Sequence, residues 1–325
     1  MYEEIYKLSG NPFKLTPNPE FFYPSRIHKK VMAYLQYGLE QGDGFIVVTG
    51  NVGTGKTTII QTLTNELEAK NDIILSQITS TQLNEGDLIR MVAVSFGLSI
   101  NNQSKAALLK NLENFLREKS REKKRILLIV DEVQNMPKRS LEELRMLSNY
   151  QDQGKPLFQS FLVGQQQFKR IINRADMEQL KQRVIASYHL DPLDKDDVQK
   201  YIEYRLERVG WQNDPEFDAA AHKKIYQFTE GVPRRINIFC GRLLLHAALE
   251  GLHTITEHTV NDVIEEFADE NMQKSAVTQD TIVTSSQQSL VDAKFSAVEK
   301  RFRIMERKLK RIEDSLETLI DDIDL

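Results

Sequence analysis

The stretch GFIVVTGNVGTGKTT, residues 44–58, sets the architecture. Its first half, FIVVTG, is an apolar, β-branched run without alternation, as expected of a strand covered on both faces. Glycines, a lysine and two threonines follow, opening a helical pattern over 56–70. Gly50, Gly53 and Gly55 let backbone N–H groups, including those of Asn51, Val52 and Thr54, turn inward around a phosphate, and the following helix presents its N-terminus to the same anion. In this G-x-x-x-x-G-K-T pattern Lys56 reaches the β- and γ-phosphates, Thr57 places a hydroxyl on Mg²⁺, and Thr58 adds a second hydroxyl. The loop alone says that a nucleotide is held. Kinases, switches and mechanical ATPases all use such loops, so its purpose must come from elsewhere in the chain.

Working outward, DIILSQI, RILLIVDE and FQSFLVG read as further buried strands, separated by helical patterns at 84–97, 104–119 and 139–150. That alternation predicts an α/β domain, a parallel sheet with helices on both faces, over residues 44–190. RILLIVDE ends in Asp131 and Glu132, which emerge at the carboxyl edge of the sheet beside the phosphate loop. Asp131 is placed to hold Mg²⁺ through water and Glu132 to orient the attacking water, which makes hydrolysis of ATP the leading reading.

The 325 residues, 40% hydrophobic and 28% charged, suffice for one or two cores and an appendage. A net charge of −4 argues against attraction of the whole chain to nucleic acid or anionic lipid. The single cysteine, Cys240, rules out an internal disulfide framework and reads as a small core residue in a reducing compartment. The opening MYEEIYKLSGNPF lacks the basic start of a signal peptide, and no window approaches a membrane span, so a cytoplasmic location is expected.

Residues 1–43 combine a proline-rich, aromatic lead-in, NPFKLTPNPEFFYPS, with a helical pattern ending at Gly42, and are expected to pack on the core. After Val184 strand signals largely stop. Helical patterns at 194–209, 216–229, 233–250 and 256–270 predict a small all-helical domain over 191–270, its first helix capped by Asp194. Residues 271–289 are polar and read as a linker. From Val291 to Ile323 apolar residues recur alternately four and three apart, which predicts a coiled coil over 290–325. With Phe295 at position a, Arg301 and Lys308 fall at g and Glu306 and Glu313 at the following e positions, favouring a parallel homotypic pair. A single amphipathic helix folding back on the body is the alternative.

The paired acids, the extra helical domain and EGVPRRIN (230–237) together resemble an AAA+ ATPase. The lead-in with its phosphate loop, LEELRMLSNYQ and LFQSFLVGQQQF are similar to the ExeA/GspA group of bacterial ATPases, over about residues 1–270. Members of that group serve general secretion, pilus biogenesis and exopolysaccharide systems. The resemblance implies a P-loop fold with a helical lid and further roles. Arg234 matches the sensor 2 arginine that the lid carries onto the γ-phosphate, with Arg235 its neighbour. Gln165 falls where a polar sensor 1 residue stands, and Arg183 where one subunit inserts an arginine finger into the next. A solvated arginine pair and a surface salt-bridge arginine are the bland readings of these positions. Phe21, Phe22 and Tyr23 are candidate walls of an adenine pocket, with core packing as the equal alternative. Longer members of the group continue into a membrane span and a peptidoglycan-binding domain, and here the coiled coil stands in that place.

The resulting expectation is a Mg-dependent ATPase acting as an oligomeric motor or switch in assembly of a cell-envelope system. It would assemble with itself through AAA+ faces, the coiled coil or both, and reach the inner membrane through an envelope partner. The alternative is a DNA-associated AAA+ protein similar to transposition helpers or initiators, favoured by the basic run KRFRIMERKLKR (300–311) and disfavoured by the lack of helix-turn-helix or zinc spacing.

Overall fold

The computed structural model describes residues 2–16, 18–69, 72–79, 87–101 and 103–280, with side chains through 270. Met1–Ile264 is one compact unit holding the sheet, the lead-in and the lid as far as the first turns of its last helix. Glu265–Leu325 is a second, described as far as Asp280. The coiled coil expected over 290–325 lies outside the described residues.

The sheet contains β1 (Phe45–Gly50), β2 (Ile73–Thr79), β3 (Arg125–Asp131), β4 (Gln159–Gly164) and β5 (Val184–Leu190), ordered β2-β3-β4-β1-β5. All neighbours are parallel. Every residue of β1 and β4 is buried, because alternate side chains enter two separate cores. Ile46, Val48, Ile129, Phe161 and Val163 pack against α1 (Arg26–Gln41) and α2 (Lys56–Glu68). Phe45, Val47, Leu128, Val130 and Leu162 face α3 (Leu88–Ser95), α4 (Lys105–Arg121), α5 (Lys138–Leu147) and α6 (Gln166–Ile172). This is the doubly covered parallel sheet that the unalternating strands imply.

The helix expected up to Gly42 is α1, with Ser25 as N-cap and Gly42 in the left-handed region at φ 71° as C-cap. Gly38 lets it approach the sheet closely: a Cβ there would lie 2.1 Å from Ile46 Cδ1. Strand β5 departs from the expectation that strands end near Val184. Among the described residues it is an edge strand paired with β1 alone, and its residues are exposed or half-buried except Leu190. The sequence VIASYHL therefore lacks the unbroken apolar signal of the central strands.

The lid follows with α7 (Lys195–Glu207), α8 (Ala219–Thr229), α9 (Pro233–Leu249) and α10 (Glu257–Asp280). Asp194 caps α7 as expected, its carboxylate accepting from Asp197 N at 2.9 Å. The second lid helix starts later than expected: Glu216–Phe217 pairs with Thr254–Ile255 as a short parallel ladder, and Asp218 is the cap. Residues 271–280, expected to begin a linker, continue α10.

The lead-in was expected on the core, and its first part sits on the lid instead. Tyr6 OH donates to Leu252 O at 2.8 Å, Ser9 N to Val209 O at 2.8 Å, and Arg205 of α7 donates to the carbonyls of Pro12 and Lys14. Proline and turn residues leave the lead-in carbonyls without ladder partners, and the lid supplies the donors. Cys240 is fully buried among lid residues, and burial pushes its thiol up, as befits a core residue rather than a nucleophile.

Candidate functional site

The parallel sheet brings three chain segments to one edge: the loop after β1, the acids after β3 and Gln165 after β4, the strand between them. In the loop, Gly53 and Gly55 have φ of 83° and 94°, a region that disfavours side chains. Gly53 is also required for space, since a Cβ there would lie 2.6 Å from Arg234 Cβ. Lys56 is buried, and its Nζ donates to the carbonyls of Gly50 at 3.0 Å and Asn51 at 2.9 Å. Burial lowers the Lys56 pKa, while the nearby charges of Glu132 and Asp131 oppose that shift. Thr54 Oγ1 donates to Asn51 O and closes the loop on itself.

Thr57 Oγ1 donates to Asp131 Oδ2 at 3.3 Å, joining the loop to the end of β3. Burial raises the Asp131 pKa, and the hydrogen bonds from Glu132 N and Thr57 offset part of that rise. A buried carboxylate beside a hydroxyl is a hard-oxygen donor pair that gains from a cation, and it fits Mg²⁺. Among the described residues no group of three or more His, Cys, Asp or Glu side chains could hold a metal ion. One protein carboxylate and one hydroxyl suit an ion that keeps waters and shares substrate phosphates.

Glu132 has φ 54°, a left-handed conformation for a residue with a side chain. Its Oε2 accepts from Gln134 Nε2 at 2.5 Å and from Gln165 Nε2 at 3.3 Å. From the lid, Val232 and Pro233 bring the start of α9 onto the loop, where Arg234 N donates to Gly53 O at 3.1 Å. Arg235 turns away and pairs with Glu230, which separates the two neighbouring arginines.

These elements wall a cavity of about 330 Å³. Val52, Gly53, Gly55, Lys56, Thr57, Thr58, Glu132 and Arg234 line one part of it. Phe21, Phe22 and Tyr23 line another. His28, Tyr201, Arg205 and Asn237 also line it, and sequence reasoning missed all four. Ser25 Oγ lies 2.8 Å from His28 Nδ1, and burial lowers the His28 pKa to about 4, opposed by a backbone hydrogen bond at Thr54 of the loop. Arg205 is 6% exposed and donates to Tyr201 OH, which donates in turn to Asn237 Oδ1 at 2.8 Å. Asn237 lies one helical turn beyond Arg234.

Arg183 is not brought to this cavity. It precedes β5 and its carbonyl accepts from Phe45 N, so it lies at the amino end of β1, about 17–20 Å along the strand from the loop. Its guanidinium is bonded to Asn149.

The model of the family described as AAA domain matches residues 39–172. General secretion pathway protein A of Aeromonas hydrophila is 35% identical over 262 residues, covering 80% of this chain and 47% of that protein. The chain carries an ExeA/GspA-like AAA+ module. It spans about half the length of that curated relative. Among solved structures, Cdc6p of Pyrobaculum aerophilum superposes with a TM-score of 0.63 at 18% identity, over 78% of this chain and 70% of the other. The Aeropyrum pernix ORC2 protein in its ADPNP–ADP complexes gives 0.58 at 19%, over 79% and 71%. At these identities the likeness concerns the fold, a parallel sheet with helices shared with AAA+ proteins. No described helix of the AAA+ module is long and apolar enough to cross a membrane.

Proposed function

We propose that this AAA+ module binds and hydrolyses ATP and acts as an oligomeric motor or switch in the assembly of a bacterial cell-envelope system. The observation that carries the hydrolytic part is the meeting, in one cavity, of the phosphate loop with Lys56, the acid Glu132 and the lid cation Arg234. In this reading Lys56 leaves its loop carbonyls for the β- and γ-phosphates. Thr57 and Asp131 hold Mg²⁺, which when bound neutralises phosphate charge. Glu132 accepts a hydrogen bond from the attacking water and orients it. Arg234 places its charge at the γ-phosphate, so the lid closes on ATP more tightly than on ADP. Gln165, whose amide donates to Glu132 Oε2, holds that carboxylate from outside the cavity lining, and Arg183 serves the site of a neighbouring subunit.

The envelope assignment is supported by the identity to General secretion pathway protein A, and it extends to an envelope-assembly partner at the inner membrane. The Glu132→Gln protein tests both parts. With hydrolysis slowed, it is expected to retain ATP rather than ADP after gel filtration and, expressed in the native cell, to co-purify with envelope-assembly components. Retention of ADP by the variant would remove the hydrolytic role of Glu132. Recovery only of DNA-bound proteins, with a salt-dependent shift of DNA, would replace the envelope reading by a nucleic-acid one.

A further inference from the structure

Gln134 stands two residues beyond Glu132, in the short helical turn Val133–Asn135 that follows β3. Its side-chain amide is occupied at both ends. Nε2 donates to Glu132 Oε2 at 2.5 Å, and Oε1 accepts from Gln165 N at 2.9 Å. The Gln165 side chain reaches the same carboxylate oxygen at 3.3 Å. Two amides thus converge on Oε2, and among the described residues none is bonded to Oε1.

The arrangement is built into the backbone. Glu132 adopts φ 54°, a left-handed conformation that is unfavourable for a residue with a side chain. Gly164, which ends β4, has no left-handed φ, so it is needed there for space: a Cβ would lie 2.7 Å from Gln134 Oε1 and 2.8 Å from Val133 Cγ1. A glycine is therefore kept at the point where the Gln134 side chain crosses from β3 to β4. Gln134 is absent from the residues lining the cavity, unlike its neighbour Glu132.

We propose that Gln134 is a positioning residue, a two-ended clip that ties the Glu132 carboxylate to the Gln165 segment. With Oε2 held by amides, Oε1 is the oxygen left to accept a hydrogen bond from the attacking water. Any shift of the Gln165 segment on nucleotide binding or release is carried through Oε1 and Nε2 of Gln134 to the acid, so the clip sets when Glu132 is competent. This rests on the reading of Glu132 as the water-orienting acid.

Two substitutions separate the clip from simple packing. Gln134→Leu removes both bonds at similar volume. Its kcat for ATP is expected to fall on the order of 100-fold, the scale of a displaced catalytic group, with KM and the affinity for a non-hydrolysable ATP analogue within about threefold of wild type. Gln134→Glu keeps the acceptor for Gln165 N and exchanges the donor for a carboxyl. Ionised, it repels Glu132; protonated, its O–H donates to Oε2 as the amide did. Its kcat, relative to that of wild type at each pH, is therefore expected to rise as pH falls from 8 to 5.5. A packing role would leave that ratio flat. If Gln134→Leu does not fold, the pH ratio of Gln134→Glu decides alone. Wild-type kcat in either variant at pH 8, or a flat ratio, overturns the clip. Glu132→Gln run beside them keeps the two ideas apart: if it hydrolyses ATP as wild type does, the acid reading fails, and if it is inactive while Gln134→Leu is normal, only the clip fails.

Discussion

His28 illustrates how a single side chain joins the lead-in to the phosphate loop. The residue is 5% exposed, its Nδ1 faces the Ser25 hydroxyl, and burial holds it neutral down to about pH 4, where an ordinary histidine titrates near 6.5. Between those values the unfolded chain binds a proton that the native protein refuses, so stability falls as pH falls through 6.5 and levels off below 4. At about 1.4 kcal/mol per pH unit the loss amounts to about 3 kcal/mol. Thermal melting of wild type and His28→Gln across pH 7 to 4 reads this; the variant is expected to show the shallower decline, and parallel curves would contradict it. Asp131 has the opposite sign. Its pKa is raised by burial, so ionisation at neutral pH costs stability, and Asp131→Asn is expected to melt higher than wild type without metal and nucleotide. The same variant should lose most of the further rise that Mg-ATP gives wild type. An equal rise in both would remove Asp131 from the metal site. The acids and the loop were readable in the sequence because their spacing is fixed by local turns. His28, Gln134 and Arg205 were not, since each depends on partners that only the fold supplies.

At the scale of elements, the lead-in is a strap held by a lid helix. Arg205 of α7 is a buried cation whose donors go to Pro12 O at 2.7 Å, Lys14 O at 3.3 Å and Tyr201 OH at 2.7 Å, with Phe21 under its guanidinium at 5.1 Å. Replacing it by alanine strands two lead-in carbonyls and is expected to cost about 2–3 kcal/mol. Because the strap carries Phe21, Phe22 and Tyr23 to the cavity, nucleotide affinity should drop with it, measurable by calorimetry beside the melting curve. Unchanged affinity in a folded Arg205→Ala protein would separate the strap from the site. Most elements were legible from periodicity, since β1, β3 and β4 are apolar on both faces and the helices carry one apolar stripe. Strand β5 escaped because an edge strand is half exposed, and the ladder Glu216–Phe217 with Thr254–Ile255 because two residues carry no period. The lead-in was recognised as ordered, but which surface holds it is decided by the donors of Arg205, nearly two hundred residues away.

For the whole molecule, the proposed function has hydrolysis link the two sides of the cavity and assigns Arg183 to the site of a neighbouring subunit. Arg183 lies at the opposite end of β1 from the loop and cannot serve its own site. Arg183→Ala is therefore expected to bind ATP normally and lose on the order of 10³-fold in turnover, with part of the activity regained when it is mixed with Glu132→Gln protein. If the variant turns over normally, Arg183 is a structural arginine bonded to Asn149. The helical lid was legible as a block of helices, and the resemblance carried by GVPRR already implied that Arg234 approaches the loop, whereas the backbone bond from Arg234 N to Gly53 O has no signal in the sequence. The central claim is that the cavity between loop, acids and lid hydrolyses ATP, and phosphate release under saturating Mg-ATP tests it most directly. Wild type is expected to turn over, Lys56→Ala to lose nucleotide binding, and Glu132→Gln to bind ATP as wild type does while releasing phosphate at least about 100-fold more slowly. Phosphate release by Glu132→Gln at the wild-type rate would contradict the account.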